Sequence, residues 1–165
     1  QGGMKYDFQM TDFKKLVEDI IAEQQPNVKN KKIALSLTVE TEANYNLKID
    51  GGKIKQVVMN LIDNSIKYTP KGSVKLTLKL VDRKIQLEIA DTGIGFNKET
   101  LSKLFVKFNR DKNANQINIH GSGLGLYLAK QIMEAHHGHI WAQSPGEGKG
   151  SSFFVEFYTD LIIGS

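Results

Sequence analysis

Gln56-Val57-Val58-Met59-Asn60-Leu61-Ile62-Asp63-Asn64-Ser65-Ile66-Lys67-Tyr68-Thr69-Pro70 is the stretch around which the rest of the chain is read. Ile54, Val57, Val58, Leu61, Ile62 and Ile66 recur at steps of three and four, which places them on one buried stripe of a helix. Asn60, Asn64 and Lys67 stand at i, i+4 and i+7, so a second face carries two amides and an ammonium in one column. Pro70 cannot continue a helix and biases Thr69 away from helical dihedrals, so the element ends there and Lys71-Gly72 turns the chain.

Upstream, Phe13, Leu16, Val17, Ile20 and Ile21 follow helical spacing, with Thr11 or Asp12 as the cap, and the helix fades into the polar 24–32 segment. Ile33 to Val39 alternates with period two, and Tyr45 to Ile49 is a second short strand; together they predict a hairpin. Downstream, Ser73 to Val81 and Ile85 to Ala90 alternate across the turn Asp82-Arg83-Lys84. A short helix near Lys98 to Leu104 follows, then an aperiodic polar stretch from Asn109 to His120, expected to be mobile. Gly121 to Gly125 opens a further helix to about His136. His139 to Gln143 and Ser152 to Tyr158 are closing strands around a glycine-rich turn at Gly146 to Gly150. Helices and strands mix without strict βαβ alternation, which predicts a two-layer α/β sandwich: a mixed sheet of about five strands on about three helices.

A chain of 165 residues, 40% apolar and 24% charged, suits one soluble domain with a single core. No apolar run approaches the ~20 residues of a membrane span. The chain has no cysteine, so disulfides and thiolate metal sites are excluded. A net charge of +4 comes from scattered lysines, without the dense basic run that nucleic acid binding requires. Residues 1–3, Gln1-Gly2-Gly3, look like a cloning remnant on a piece of a longer protein; residues 4–165 form the domain, and cytoplasm is the default compartment.

Asp91-Thr92-Gly93-Ile94-Gly95 directly follows an apolar strand, so its carboxylate sits at a strand end, where ligand-reading groups collect. An ordinary Asp turn would read the same way. Gly121-Ser122-Gly123-Leu124-Gly125-Leu126 puts three alternate glycines before a helix, where bare N–H groups and the helix dipole favour phosphate. Neither GxGxxG nor GxxxxGK[ST] occurs.

The order of these motifs is more specific than any one of them. An Asn-bearing helix, Asp-x-Gly-x-Gly, Leu104-Phe105-x-x-Phe108-x-Arg110, Gly-x-Gly-x-Gly and Gly146-x-Gly-x-Gly150 resemble the N, G1, F, G2 and G3 boxes of the ATP-binding domain of sensor histidine kinases (Bergerat fold). The likeness runs from about Phe8 to Tyr158. It implies Mg-ATP as ligand, with Asn64 and Asn60 on Mg²⁺, Lys67 and Arg110 on phosphate, and Asn64, Lys67 and Arg110 as the catalytic set. It also implies that Tyr68 and Phe108 flank the nucleotide and that Asp91 accepts the adenine amino group, beside Gly93, Ile94 and Gly95. Gly121, Ser122, Gly123 and Gly125 would wrap the phosphates, with Leu124 and Leu126 packing the helix that follows.

Ser65 and Ser122 replace the family's commoner Ala and Thr, Val106-Lys107 replaces an acidic position, and His137 stands where Gly is frequent. His136, His137 and His139 invite a metal reading, but they straddle a helix end without a carboxylate, and a structural or helix-capping role is preferred. None of the four histidines has the family's acceptor context, so the phosphorylated histidine belongs to a separate dimerisation domain, with a response regulator reached through the parent. The domain alone is expected to be a monomer that does not autophosphorylate. The rivals are an ATPase or serine kinase of the same superfamily, which usually carries a Glu as general base where this chain has Asn60, and a silent ATP-binding module.

Overall fold

The computed structural model describes residues 3–106 and 124–159. The elements are β1 (Gln9–Asp12), α1 (Phe13–Lys29), β2 (Lys32–Val39), β3 (Asn46–Ile49), α2 (Gly51–Lys67), β4 (Lys71–Val81), β5 (Lys84–Asp91), α3 (Lys98–Lys103), α4 (Leu124–Ala135), β6 (His139–Gln143) and β7 (Ser151–Tyr158). Five strands form one sheet in the order β2-β4-β5-β7-β6; β2 runs parallel to β4 and every other pairing is antiparallel. The mixed two-layer α/β sandwich expected from the sequence is therefore the fold.

Local chemistry starts and stops the elements where it should. Asp12 caps α1 by accepting the Lys15 N–H, and Asp50 caps α2 by accepting the Lys53 N–H. Asp82 and Arg83 both adopt positive φ, as a two-residue turn between twisted antiparallel strands requires. Val74, Leu76 and Leu78, then Ile85, Leu87 and Ile89, then Phe153, Val155 and Phe157 bury one face of the sheet. Against them lie Phe13, Val17 and Ile20 of α1, the full apolar stripe of α2, and Ala129, Ile132 and Met133 of α4. Each such Leu or Ile contributes roughly 1.5–3 kcal/mol on leaving water.

Two expectations need correction. The segments 33–39 and 45–49 do not pair as a hairpin: Ile33 lies opposite Gly72 in a parallel ladder, while β3 pairs antiparallel with β1, Gln9 opposite Ile49. A parallel pair needs a crossover, and α2 lies within the connection between β2 and β4. Tyr45 is buried and donates its hydroxyl to Thr41 O at 2.7 Å, so the 40–45 segment bends the chain out of the first sheet. Likewise α1 does not fade at Gln24 but continues through Pro26 to Lys29. Its polar amides make tertiary bonds there, Gln24 Nε2 to Met59 Sδ at 3.3 Å and Gln25 Nε2 to Leu35 O at 2.9 Å. No helix among the described residues is long and apolar enough to cross a membrane.

Candidate functional site

The polar column of α2 is held by its own nitrogens. Asn64 Nδ2 donates to Asn60 O at 3.1 Å, and Asn60 Nδ2 donates across to Gly125 O in the first turn of α4 at 3.3 Å. Each amide thus keeps its oxygen as the atom to offer a cation. Lys67 is exposed at the end of the column; partial desolvation leaves the pKa of the neighbouring Asp63 carboxyl raised, and the Lys67 charge only partly opposes this. Tyr68 caps the helix, with its N–H on Asn64 O at 3.1 Å and its ring edge-on to Phe96 at 5.5 Å. Burial pushes its phenol above the ordinary value, so it stays neutral.

Asp91 ends β5, only 7% exposed. Oδ1 accepts the Gly93 N–H at 2.9 Å and the Ser151 N–H at 3.2 Å, and Oδ2 accepts the Ser151 hydroxyl at 2.9 Å. Burial raises its pKa, and these donors, which favour the charged form, hold the rise back without cancelling it. A carboxylate has about four lone-pair positions, so three donors leave capacity for one more N–H. The Ser65 hydroxyl, wholly buried on α2, makes no hydrogen bond of good geometry, yet it lies close enough to Asp91 to favour the carboxylate. A buried carboxylate with accepting capacity to spare, beside a buried hydroxyl that meets it only at poor geometry, is a pair suited to a polar ring edge.

The loop after Asp91 is clamped at both ends. A Cβ on Gly93 would come within 2.1 Å of Tyr68 O, and the Ile94 N–H donates to that oxygen at 2.9 Å. Gly95 has φ +68, and a Cβ there would meet Gly146 O at 2.2 Å. Both glycines thus let backbone meet backbone. Gly150 N–H bonds Gly93 O at 3.0 Å, Gly148 N–H bonds Ile94 O at 2.5 Å, and Ser144 Oγ accepts the Phe96 N–H at 3.0 Å. The Ile94 side chain is left 50% exposed, an apolar group standing at the mouth of the loop. A cavity of about 430 Å³ is lined by Asp91 with Ser144, Pro145, Lys149 and Ser151 among others.

The structure thus brings Asn60 to Gly125 at the start of α4, with Asn64 tied to Asn60 along α2, and joins Tyr68, Gly93 and Ile94 through the Tyr68 carbonyl. Leu126 packs, half-buried, on the core, and Leu124 begins α4. Phe108, Arg110, Gly121, Ser122, Gly123 and the whole 109–120 segment lie outside the described residues. The three C-terminal histidines go to different places. His136 is buried between Ile132 O and the Asp50 N–H, His137 takes φ 58 just past the helix end, and His139 Nε2 lies 3.2 Å from the Tyr158 hydroxyl. The helix-end reading holds for His136 and His137, and the described residues contain no group of three metal-ligating side chains. Ser151, Ser65 and Ser144 carry much of the geometry and were not singled out as site residues from the sequence. Ser151 lies opposite Asp91 in the β5–β7 register, a relationship with no local sequence signal.

The family model for histidine kinase-, DNA gyrase B- and HSP90-like ATPases matches residues 49–161. The adaptive-response sensory kinase SasA of a Synechococcus species is 36% identical over 143 residues, covering 84% of this chain and 36% of that protein's length. Full-length ShkA in complex with AMPPNP aligns over 94% of this chain and 32% of its own, with 23% identity and a TM-score of 0.81. The nucleotide-free catalytic domain of histidine kinase ThkA aligns over 93% of this chain and 98% of its own, with 24% identity and a TM-score of 0.79.

Proposed function

The chain belongs to the family of histidine kinase-, DNA gyrase B- and HSP90-like ATPases, and from that membership we propose that it is the Mg-ATP-binding catalytic domain of a two-component sensor histidine kinase. It transfers the γ-phosphoryl group to a histidine carried on a separate dimerisation domain, and serves a response regulator through the parent protein. In isolation it is a monomer working in the cytoplasm, where its ATP is.

The site fits that ligand chemically. Asp91, with room for one more donor, suits the exocyclic N–H₂ of adenine, and the buried Ser65 hydroxyl beside it suits the same polar edge. Ile94 and Tyr68 supply apolar cover for a base. Asn60 and Asn64 offer two neutral oxygens, a poor cage for a bare cation but a good partial shell for Mg²⁺ that keeps waters and phosphate oxygens. When bound, Mg²⁺ supplies charge neutralisation on the phosphates. Lys67 adds a cation at the end of the same column, and Arg110, Gly121, Ser122, Gly123 and Gly125 are assigned to the phosphates by the family pattern.

Asn60 carries the choice between kinase and hydrolase. Its side chain is a neutral amide, whose nitrogen lone pair is delocalised into the carbonyl, so it cannot take a proton from water or a hydroxyl; its N–H donates to Gly125 O. An imidazole acceptor brings its own lone pair and needs only placement. Mixing the domain with γ-labelled ATP and a separately made acceptor-histidine domain tests the assignment. An acid-labile, base-stable phosphoprotein is the expected product; rapid hydrolysis without acceptor would show an ATPase instead, and nucleotide binding with neither outcome a silent module.

A further inference from the structure

His136 stands just beyond α4, at the far end of the helix from the proposed nucleotide site, yet it is 7% exposed and fully engaged. Its Nδ1 lies 2.8 Å from Ile132 O, a group that can only accept, so that nitrogen carries the proton. Nε2 is therefore the bare nitrogen, and it accepts the backbone N–H of Asp50, the cap of α2, at 3.0 Å. Phe8 packs on the ring at 4.8 Å and Tyr6 at 5.6 Å, with Phe157 of β7 beyond at 6.4 Å. The Asp7 N–H closes the cover by bonding Asp50 Oδ2 at 2.9 Å.

The second tie between the helices is Asn60 Nδ2 to Gly125 O. From Asp50 to Asn60 is ten residues along α2, and from Gly125 to His136 eleven along α4; at ~1.5 Å per residue the spans are about 15 and 16.5 Å. Two ties at matching separation hold α2 and α4 antiparallel in one register.

We propose that His136 is a positioning residue for the nucleotide site: by accepting the Asp50 N–H under the cover of Tyr6 and Phe8, it sets the register of α4 on α2 and so places the first turn of α4 opposite Asn60. The inference rests on the nucleotide reading above for its functional consequence. Protonating Nε2 sets one N–H against another and breaks the tie. The charged or titratable groups facing the ring are the Asp50 carboxylate, which favours protonation, and His137, which opposes it; the Tyr6 phenol is the remaining titratable neighbour, and Asp7 and Lys53 act through Asp50. Burial is the larger influence and keeps the ring neutral at pH 7.

The test compares the wild-type chain with His136→Gln, whose carbonyl can accept the Asp50 N–H but does not titrate, and His136→Leu, which keeps bulk without an acceptor. Affinity for Mg-AMPPNP is measured by calorimetry at pH 7.5 and 5.5, with the Asn60 side-chain amide followed by NMR as the His136 ring titrates. Relative to His136→Gln, the wild type is expected to lose about three- to tenfold in affinity on acidification, the worth of one hydrogen bond. His136→Leu is expected to be weakened by a similar factor at both pH values. Equal affinities and parallel pH profiles for wild type and His136→Gln would overturn the proposal, even if His136→Leu failed to fold. If the wild type binds no AMPPNP at pH 7.5, the nucleotide reading fails and NMR decides the register alone: an Asn60 amide that moves with the ring titration supports it, and one that does not overturns it.

Discussion

Ser151 donates to both oxygens of Asp91, its N–H to Oδ1 at 3.2 Å and its hydroxyl to Oδ2 at 2.9 Å, so one residue of β7 orients the carboxylate that ends β5. Ser151→Ala removes one donor to the charged form. The Asp91 pKa then rises further, and the acid limb of nucleotide binding moves to higher pH. A hydrogen bond to a charged group is worth ~1.5–3 kcal/mol, so affinity should fall by about tenfold or more. Calorimetry across the acidic range checks both effects; an unmoved acid limb counts against the role of Ser151.

Asp91→Asn should separate binding from stability. Because burial raises the folded pKa of Asp91, its contribution to stability is present below the ordinary carboxyl value and is lost as pH rises through the folded one. At neutral pH the buried charge therefore weighs against the fold. Without nucleotide, the Asn variant should melt no lower than the wild type, while nucleotide affinity drops by more than about tenfold. Scanning calorimetry with and without ligand reads the two together, and unchanged affinity would refute the site.

Gly93→Ala and Gly148→Ala should differ although both lie in the same pair of interlocked loops. The first Cβ meets Tyr68 O at 2.1 Å and forces backbone to move; the second meets nothing within 4 Å and suffers only its φ of +81. Losses of about 3 kcal/mol or more and of about 1 kcal/mol are expected, in that order. Urea denaturation of the two variants decides it.

Asn64→Ala removes an oxygen from the proposed Mg²⁺ shell and the bond to Asn60 O. Phosphoryl transfer to the acceptor domain should fall by roughly a hundredfold, with Mg²⁺ dependence lost. Radiolabel transfer across a Mg²⁺ titration measures this, and wild-type turnover would remove Asn64 from the site.

His136 gives the fold a pH dependence of its own. Its folded pKa lies below the ordinary imidazole value, so its stabilising contribution is present above that value, near pH 6.5, and is lost as pH falls through the folded one. The melting temperature of the wild type should fall between about pH 7 and pH 5 more steeply than that of His136→Gln, by a few degrees. Parallel curves would show that another group dominates.

Much of this site was written locally. Asn60, Asn64 and Lys67 share a face because 3.6 residues make a turn, whatever lies opposite. Asp91 could be placed at a strand end from the alternation before it and the glycines after it. Ser151 and Ser65 could not be found in the same way, because their significance is a register between strands and a distance between layers. β1 escaped detection for a related reason: Gln9 to Asp12 is exposed and shows no alternation, and becomes a strand only because β3 lies beside it.

What the chain determined by itself is each element whose apolar period matches a buried face, with the caps and turns that bound it, since those are interactions among near neighbours. Tertiary structure alone decided the partners: β2 with β4 rather than β3, the persistence of α1 past Gln24 through amides that bond α2 and β2, and the two ties that set α4 against α2. Pairing and register depend on which surfaces exclude water together, and a local window of sequence does not contain the second surface.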